Sequence, residues 1–371
     1  MADLLVDLGQ IAHNVRQIRH SLAVLTHLCA VVKSNAYGHG LIPVAQTALR
    51  AGADSLAVKT YGEGVALRDS GIRAPILVFN PCTRECAEIV TKYRLTPTVG
   101  SRSELEHLFR ASRRANDPIS VHINVETGLN RLGISLDEAV PLCKYVKRNT
   151  HLRLGGIYTQ MKSVDRAKEQ WIRFRKLYRA IGNECSDTPS LHVADSATLL
   201  AHPGLALDMV RIGLLAYGIY PAGPLPHSLD IRPALTLRAR ILRVFVVKRG
   251  ESVGYGDGAA VRRGTLAATV NAGYFNGVPR RLAGKSAVLV KGRRAPVLFV
   301  AMNDTVIDVS EVKGLKEGGE VVLIGRQERE EIALSNWAHA CDTIEAEVLC
   351  RIRAAPVTFF RGDDIQTRTA V

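Results

Sequence analysis

Lys33 has the setting in this chain that most invites chemistry. It stands in "AVVKSNAYGHG", Ala30 to Gly40, at the end of an apolar run and the start of a stretch bearing glycine, asparagine and tyrosine. Two readings fit these residues. In one, Lys33 caps a strand edge and is solvated. In the other, it is a reactive amine held at the mouth of a barrel, where the outstanding use of a lysine is a Schiff base with a carbonyl compound. Other catalytic patterns are missing. The 11 histidines show no HxxxH or HExxH spacing, so no metal is expected. No GxSxG elbow introduces a serine nucleophile. The seven cysteines form no CxxC pair, and Cys82 and Cys86 lack a second pair at metal spacing. That usage fits reduced thiols in a cytoplasmic protein.

The elements around Lys33 favour the barrel. Eight short apolar runs recur in the first 230 or so residues: Cys29–Val32, Ser55–Val58, Ile76–Phe79, Leu95–Val99, Ile119–Val125, Leu152–Tyr158, Leu191–Val193 and Met209–Ile212. Their Val, Ile and Leu content suits strands of a parallel sheet buried on both faces. Helical segments alternate with them. Leu8, Ile11, Val15, Ile18 and Leu22 share one helical face, as do Ala167, Trp171, Phe174, Tyr178 and Ile181. Ser101 to Arg110 begins as a helix should, with serines and early acids. The alternation predicts a (β/α)8 TIM-type barrel over residues 1–232. A doubly wound open sheet is the alternative, but no GxGxxG follows the first run. From residue 233 to 371 the texture changes. "LTLRARILRVFVVKRG", "TLAATVNAG", "EVVLIG" and "TIEAEVLCRIRA" are β-branched and separated by glycine-bearing turns, with a helical stretch around Leu334 to Ala340. A mainly antiparallel β domain is expected there, ending in ten loose polar residues.

Composition excludes some classes. The 371 residues carry a net charge of +14. The basic residues are spread along the chain, and the pairs Arg113-Arg114, Arg262-Arg263 and Arg293-Arg294 lack aromatic interleaving, so no nucleic-acid partner is expected. Attraction of small anions is the better use of the charge. No run of about 18 apolar residues could cross a membrane.

"VVKSNAYGHG" resembles the cofactor-lysine motif of the alanine racemases, fold-type III pyridoxal-phosphate enzymes, and the likeness extends over nearly the whole chain. The resemblance implies that Lys33 carries pyridoxal 5'-phosphate. "ETGLNRLG" is similar to the segment holding a substrate-side arginine, here Arg131. "LHVADSATLL" and "MVRIGLLAYGIYP" imply phosphate contacts from Ser196, Gly213 and Leu214, joined by the hydroxyl of Tyr37. Barrel phosphate sites commonly use the loops after strands seven and eight. Arg211 matches the arginine facing the pyridine nitrogen, and a guanidinium stays protonated there. "VGYGDG" places the family's second base on Tyr255, "NAGYFNG" and "VAMND" place substrate-side groups on Tyr274 and Met302, and the family's shared sites imply a homodimer. The implied activity is racemisation of a small amino acid such as alanine, Lys33 and Tyr255 serving opposite faces. Another fold-type III reaction, or a non-catalytic cofactor-binding homologue, is the alternative.

Three positions depart from the family pattern. Gln160 stands in for a histidine that bonds the pyridine-facing arginine, and is expected to accept from Arg211. Asn124 replaces a lysine that braces the substrate-side arginine. Ala346 replaces a tyrosine that contacts the phosphate and crowds the substrate, which opens room for a side chain larger than methyl.

Overall fold

A computed structural model describes residues 2–182, 189–221, 226–255, 259–261, 264–352 and 357–361. The chain divides into two compact units, one of residues 11–36 and 41–232, the other of residues 1–10, 37–40 and 233–371. Strand β1 (Asp3–Asp7) opens the chain and belongs to the second unit.

The first unit is the barrel. Its strands are β2 (His27–Val31), β3 (Ser55–Val58), β4 (Ile76–Val78), β5 (Thr96–Val99), β6 (Ile119–Asn124), β7 (Leu152–Tyr158), β8 (Ser190–His192) and β9 (Met209–Ile212). All pair in parallel, in the order β8-β7-β6-β5-β4-β3-β2-β9. Every residue of β3, β4 and β9 is buried, which is why these runs are apolar without alternation, Ser55 and Arg211 excepted. All eight expected runs are strands, shifted by at most two residues at an end.

Helices follow the strands and are started by local chemistry. Ser101 caps Arg102–Ala115 by accepting from the Glu104 N–H at 3.3 Å. The helix Leu136–Lys147 begins with a reciprocal capping box between Ser135 and Glu138. In Ala167–Gly182, Phe174, Leu177 and Ile181 face the core.

The second unit adds β10 (Leu235–Val247), β11 (Ser252–Val253), β12 (Ala259–Ala260), β13 (Thr265–Val270), β14 (Ala287–Val290), β15 (Arg293–Val300), β16 (Thr305–Asp308), β17 (Glu320–Gln327), β18 (Glu330–Ile332) and β19 (Val357–Phe360). Pairing of β17 with both β14 and β10 closes β10, β13, β16, β15, β14 and β17 into a ring. The pairs are antiparallel except β1 with β19.

Two expectations change. The first ten residues were read with the barrel, but β1 pairs with β10 and β19, so they group with the β unit. "TIEAEVLCRIRA" was read as strand-like, but Glu345–Arg351 is a helix with Glu345 and Glu347 in its first turn and Val348 and Leu349 buried. The charges suit the helix dipole, which outweighs the weak strand preference of its apolar pair. The expected loose tail, 362–371, lies outside the described residues.

Candidate active site

Lys33 lies two residues past β2, at the C-terminal end of the barrel, half-buried. Its neighbour Val32 still donates to the Ala57 carbonyl at 2.8 Å. The chain then turns left-handed: Ser34, Asn35, Ala36 and Tyr37 have φ of 56°, 54°, 53° and 53°. For non-glycine residues this conformation costs roughly 1–2 kcal/mol each. Several bonds hold it. Ala36 N–H reaches the Val32 carbonyl at 2.9 Å, and Asn35 Oδ1 accepts from Leu41 N–H at 2.8 Å. Glu63 Oε1 accepts from the N–H of Ser34 at 2.5 Å and of Asn35 at 3.4 Å. The Tyr37 side chain is half-buried, and its carbonyl meets His39 Nδ1 at 3.2 Å.

Strand β9 is the neighbour of β2, with Ala30 opposite Ile212, so the loop after β9 emerges beside Lys33. Gly213 and Leu215 both donate backbone N–H to Ser196 Oγ, at 3.2 and 3.4 Å. Leu214 opens the short turn Leu214–Tyr217, and Tyr217 ties it to β2 by donating to the Val31 carbonyl at 2.8 Å. Ser196, Gly213 and Leu214 are thus brought to the same end of the barrel as Lys33.

Arg211 on β9 is 2% exposed. Its Nη1 donates to His192 Nδ1 at 2.8 Å and to the His192 carbonyl at 2.7 Å, and Nη2 donates to the Thr159 carbonyl at 2.8 Å. A guanidinium only donates, so His192 Nδ1 accepts and the proton sits on Nε2. That nitrogen then donates to His122 Nδ1, 2.9 Å away. Burial and then the charge of Arg211 push His122 down to about 4, and burial, Arg211 and His122 hold His192 well below its ordinary value. Burial also pulls Arg211 down, opposed by Tyr158, Asp195 and Cys29. Tyr158 stacks on His192 at 4.8 Å and lies under the guanidinium at 4.9 Å.

Gln160 does not serve Arg211. Its amide donates to Asp195 Oδ2 at 2.8 Å, while Asp195 Oδ1 caps the helix Ser196–Ala201. Arg211 is bonded instead to the His192 ring and to the His192 and Thr159 carbonyls. Gln170 holds the segment around Gln160, donating to Thr127 Oγ1 at 2.9 Å and accepting from Lys162 N–H at 2.8 Å.

Asn124 ends β6 and is buried, its carbonyl accepting from Ile134 N–H at 2.9 Å. Between them the chain loops out, and Arg131 is exposed on that loop. Glu126 fastens the loop from within by accepting the Arg131 N–H at 3.2 Å. Burial would raise its carboxyl, but backbone N–H groups of Asn130, Gly128, Arg131 and Leu129 outweigh it and lower the pKa. Gly133 has no room for a Cβ, which would fall 2.5 Å from Glu126 N. Lys59, after β3, is lowered by burial and then by the Arg131 charge.

Tyr255, Tyr274 and Met302 belong to the second unit. Tyr255 follows β11, is 80% exposed, and sets its ring edge-on to Phe299 at 5.5 Å. Gly254 before it has φ of 106°, and a Cβ there would fall 2.4 Å from Phe299. Tyr274 N–H donates to the Ala301 carbonyl at 3.0 Å and Phe275 N–H to the Met302 carbonyl at 2.9 Å, which brings the Tyr274 and Met302 segments together. Met302 is 53% exposed.

Sequence reading missed Glu63, Lys59, His122 and Gln170. "TYGE" was a legible capping box for Glu63, but nothing in it announces the second bond set. His122 and Gln170 carry no local signal.

The fold and this cluster define a (β/α)8-barrel protein with a lysine-centred site at the C-terminal ends of its strands. Residues 6–221 match the family model "Alanine racemase, N-terminal domain", and residues 234–358 match "Alanine racemase, C-terminal domain". The chain is 39% identical over 354 residues to an alanine racemase of Nostoc sp., covering 93% of this chain and 92% of that one. It is 36% identical to that of Halothermothrix orenii, covering 94% and 93%. Among solved structures, alanine racemase from a D-cycloserine-producing Streptomyces lavendulae superposes with a TM-score of 0.91 at 31% identity, covering 97% of each chain. The Bacillus anthracis alanine racemase with bound L-Ala-P gives 0.89 at 31%, covering 98% and 96%. The chain belongs to the alanine racemase family.

Proposed function

We propose that this protein is a pyridoxal 5'-phosphate-dependent racemase that interconverts L- and D-alanine. The observation that carries the reading is the convergence of Lys33, Ser196, Gly213, Leu214 and buried Arg211 on adjoining strand ends. The donor set suits the cofactor. Ser196 Oγ accepts two N–H bonds and keeps its own proton to give to a phosphate, with Tyr37 as a second hydroxyl. Arg211 uses three of its five N–H groups on His192 and Thr159, which leaves donors for a ring nitrogen. Lys33 supplies the amine that holds the group covalently.

When bound, pyridoxal phosphate supplies an electron-withdrawing ring that makes an amino acid's α-proton removable. Lys33 Nζ, free once the substrate's amino group has displaced it, would take or return that proton at Cα on one face, and Tyr255 Oη would do so on the other, so the substrate need not turn over. Arg131 and the Met302 N–H hold the substrate carboxylate, and Tyr274 lines its approach. Arg211, which keeps its own proton, would hold the ring nitrogen by donating to it, and the weaker electron sink would favour quick reprotonation at Cα.

The exposure of Tyr255, Tyr274, Phe275 and Met302 supports a homodimer in which one copy's β unit completes the other's barrel site. Ala346, half-buried on Glu345–Arg351, supports some tolerance of amino acids larger than alanine. Among the described residues no helix is long and apolar enough to cross a membrane, and a cytoplasmic location is part of the same proposal. The test is exchange of the α-hydrogen in deuterated water over a panel of L- and D-amino acids. Exchange of both alanine enantiomers supports the reading, and its absence in cofactor-loaded protein ends it.

A further inference from the structure

Glu63 is bonded beyond what a helix cap needs. Its Oε2 accepts from the N–H of Lys59 at 3.0 Å and of Thr60 at 3.1 Å, and Thr60 Oγ1 accepts from Glu63 N–H at 3.2 Å. That completes the capping box of Tyr61–Asp69. The second oxygen, Oε1, leaves the helix altogether and takes the N–H groups of Ser34 and Asn35. One carboxylate thus gathers four backbone donors, two from the start of its own helix and two from the first residues after Lys33. The donors at 34 and 35 belong to the left-handed turn, a conformation that persists only where the surroundings impose it. Carboxylate acceptors make the stronger class of hydrogen bond.

We infer that Glu63 is a positioning residue for Lys33: its carboxylate locks the turn that sets the direction in which the Lys33 side chain leaves β2. A neutral amide cannot replace it. Glutamine offers one acceptor oxygen and places an NH2 donor against whichever pair of N–H groups remains. The inference rests on the reading of Lys33 as the cofactor-bearing proton carrier, and its test separates the two.

Three proteins are compared: wild type, Glu63→Gln, and Thr60→Ala, which weakens the same helix cap but leaves Oε1 on Ser34 and Asn35. In protein stripped of cofactor, amide hydrogen exchange over residues 33–37 is expected to quicken at least tenfold in Glu63→Gln and to stay at the wild-type rate in Thr60→Ala. In loaded enzyme, kcat is expected to fall about 10- to 100-fold in Glu63→Gln, the order produced by misplacing a reacting group by an ångström or less. KM moves less. The α-deuterium isotope effect rises for one alanine enantiomer, the one whose proton goes to Lys33, and not for the other. A general loosening would move both directions together. If Glu63→Gln fails to fold, Glu63→Asp retains the charge but is one methylene too short to reach both donor pairs, and is expected to show the same pattern. Equal behaviour of the Glu63 and Thr60 variants in exchange and isotope effects overturns the inference and leaves Glu63 a helix cap. Failure of the racemase reading would look different: wild type would exchange no α-hydrogen, whereas the amide-exchange contrast would be unaffected.

Discussion

Arg211 and Tyr255 stand at opposite extremes of solvation. Arg211 is 2% exposed and bonded to a buried histidine and two carbonyls, whereas Tyr255 is 80% exposed and braced by one edge-on phenyl ring. The surroundings of Arg211 are assembled within the barrel unit, down to the tautomer of His192. The β unit's half, Tyr255 with Tyr274 and Met302, is left partly or largely exposed. A phenol that must exchange protons with a dry substrate needs a cover, and a second copy of the chain provides one under the proposed dimer.

The comparison breaks most plainly at Lys33. Lys33→Ala should lose all racemisation and all cofactor fixable by borohydride, read by mass after reduction. A wild-type level of fixed cofactor would remove Lys33 from its role. Tyr255→Phe should lower turnover about 10²-fold, the order expected for a general acid–base group, with cofactor content unchanged. Mixing it with Lys33→Ala after subunit exchange should recover activity, because a mixed dimer has one intact site. No recovery in proven heterodimers refutes the shared site.

The buried half should also report pH. His122 is held down to about 4 against an ordinary value of 6.5. Above pH 6.5 it is neutral folded or unfolded and contributes no pH dependence. As pH falls from 6.5 towards 4, only the unfolded chain takes up the proton, so stability is lost, by about 2 kcal/mol at pH 5. Urea midpoints between pH 7 and 5 should show at least this slope, and His122→Asn should lessen it while His192, also held low, keeps its own share. The smallest effect concerns Ala346. Ala346→Tyr should shift the ratio of turnover on larger amino acids to that on alanine several-fold towards alanine, since each methylene is worth roughly 1–3 kcal/mol at most. An unmoved ratio refutes the pocket.

The same contrast explains what the sequence could reveal. The barrel strands were legible because burial on both faces writes itself as unbroken apolar runs, as in "SLAV" at β3. Strand β1 was not, because "DLLVD" gains its meaning from β10 and β19, hundreds of residues on. Lys33, Ser196 and Arg211 were singled out by motif. Gln160's true partner was not, since the choice between Arg211 and Asp195 depends on where the loop after β7 turns, and Gln170 on a later helix fixes that. Glu63 hid inside an ordinary capping box.

The edges of the barrel meet between β8 and β9, and the two share no ladder. One backbone bond crosses there, from Arg211 N–H to the Ala194 carbonyl at 2.9 Å. Side chains add further fastenings among the described residues: Asp208 on Leu191 N–H, the Arg211 guanidinium on the His192 ring and carbonyl, and Ser196 Oγ beneath Gly213 and Leu215. The hoop is therefore riveted at the place where its chemistry is proposed to occur. A substitution at Ser196 or Arg211 removes a rivet together with a proposed ligand contact, so lost activity in such a variant measures chemistry only after its opening at this joint has been measured and subtracted.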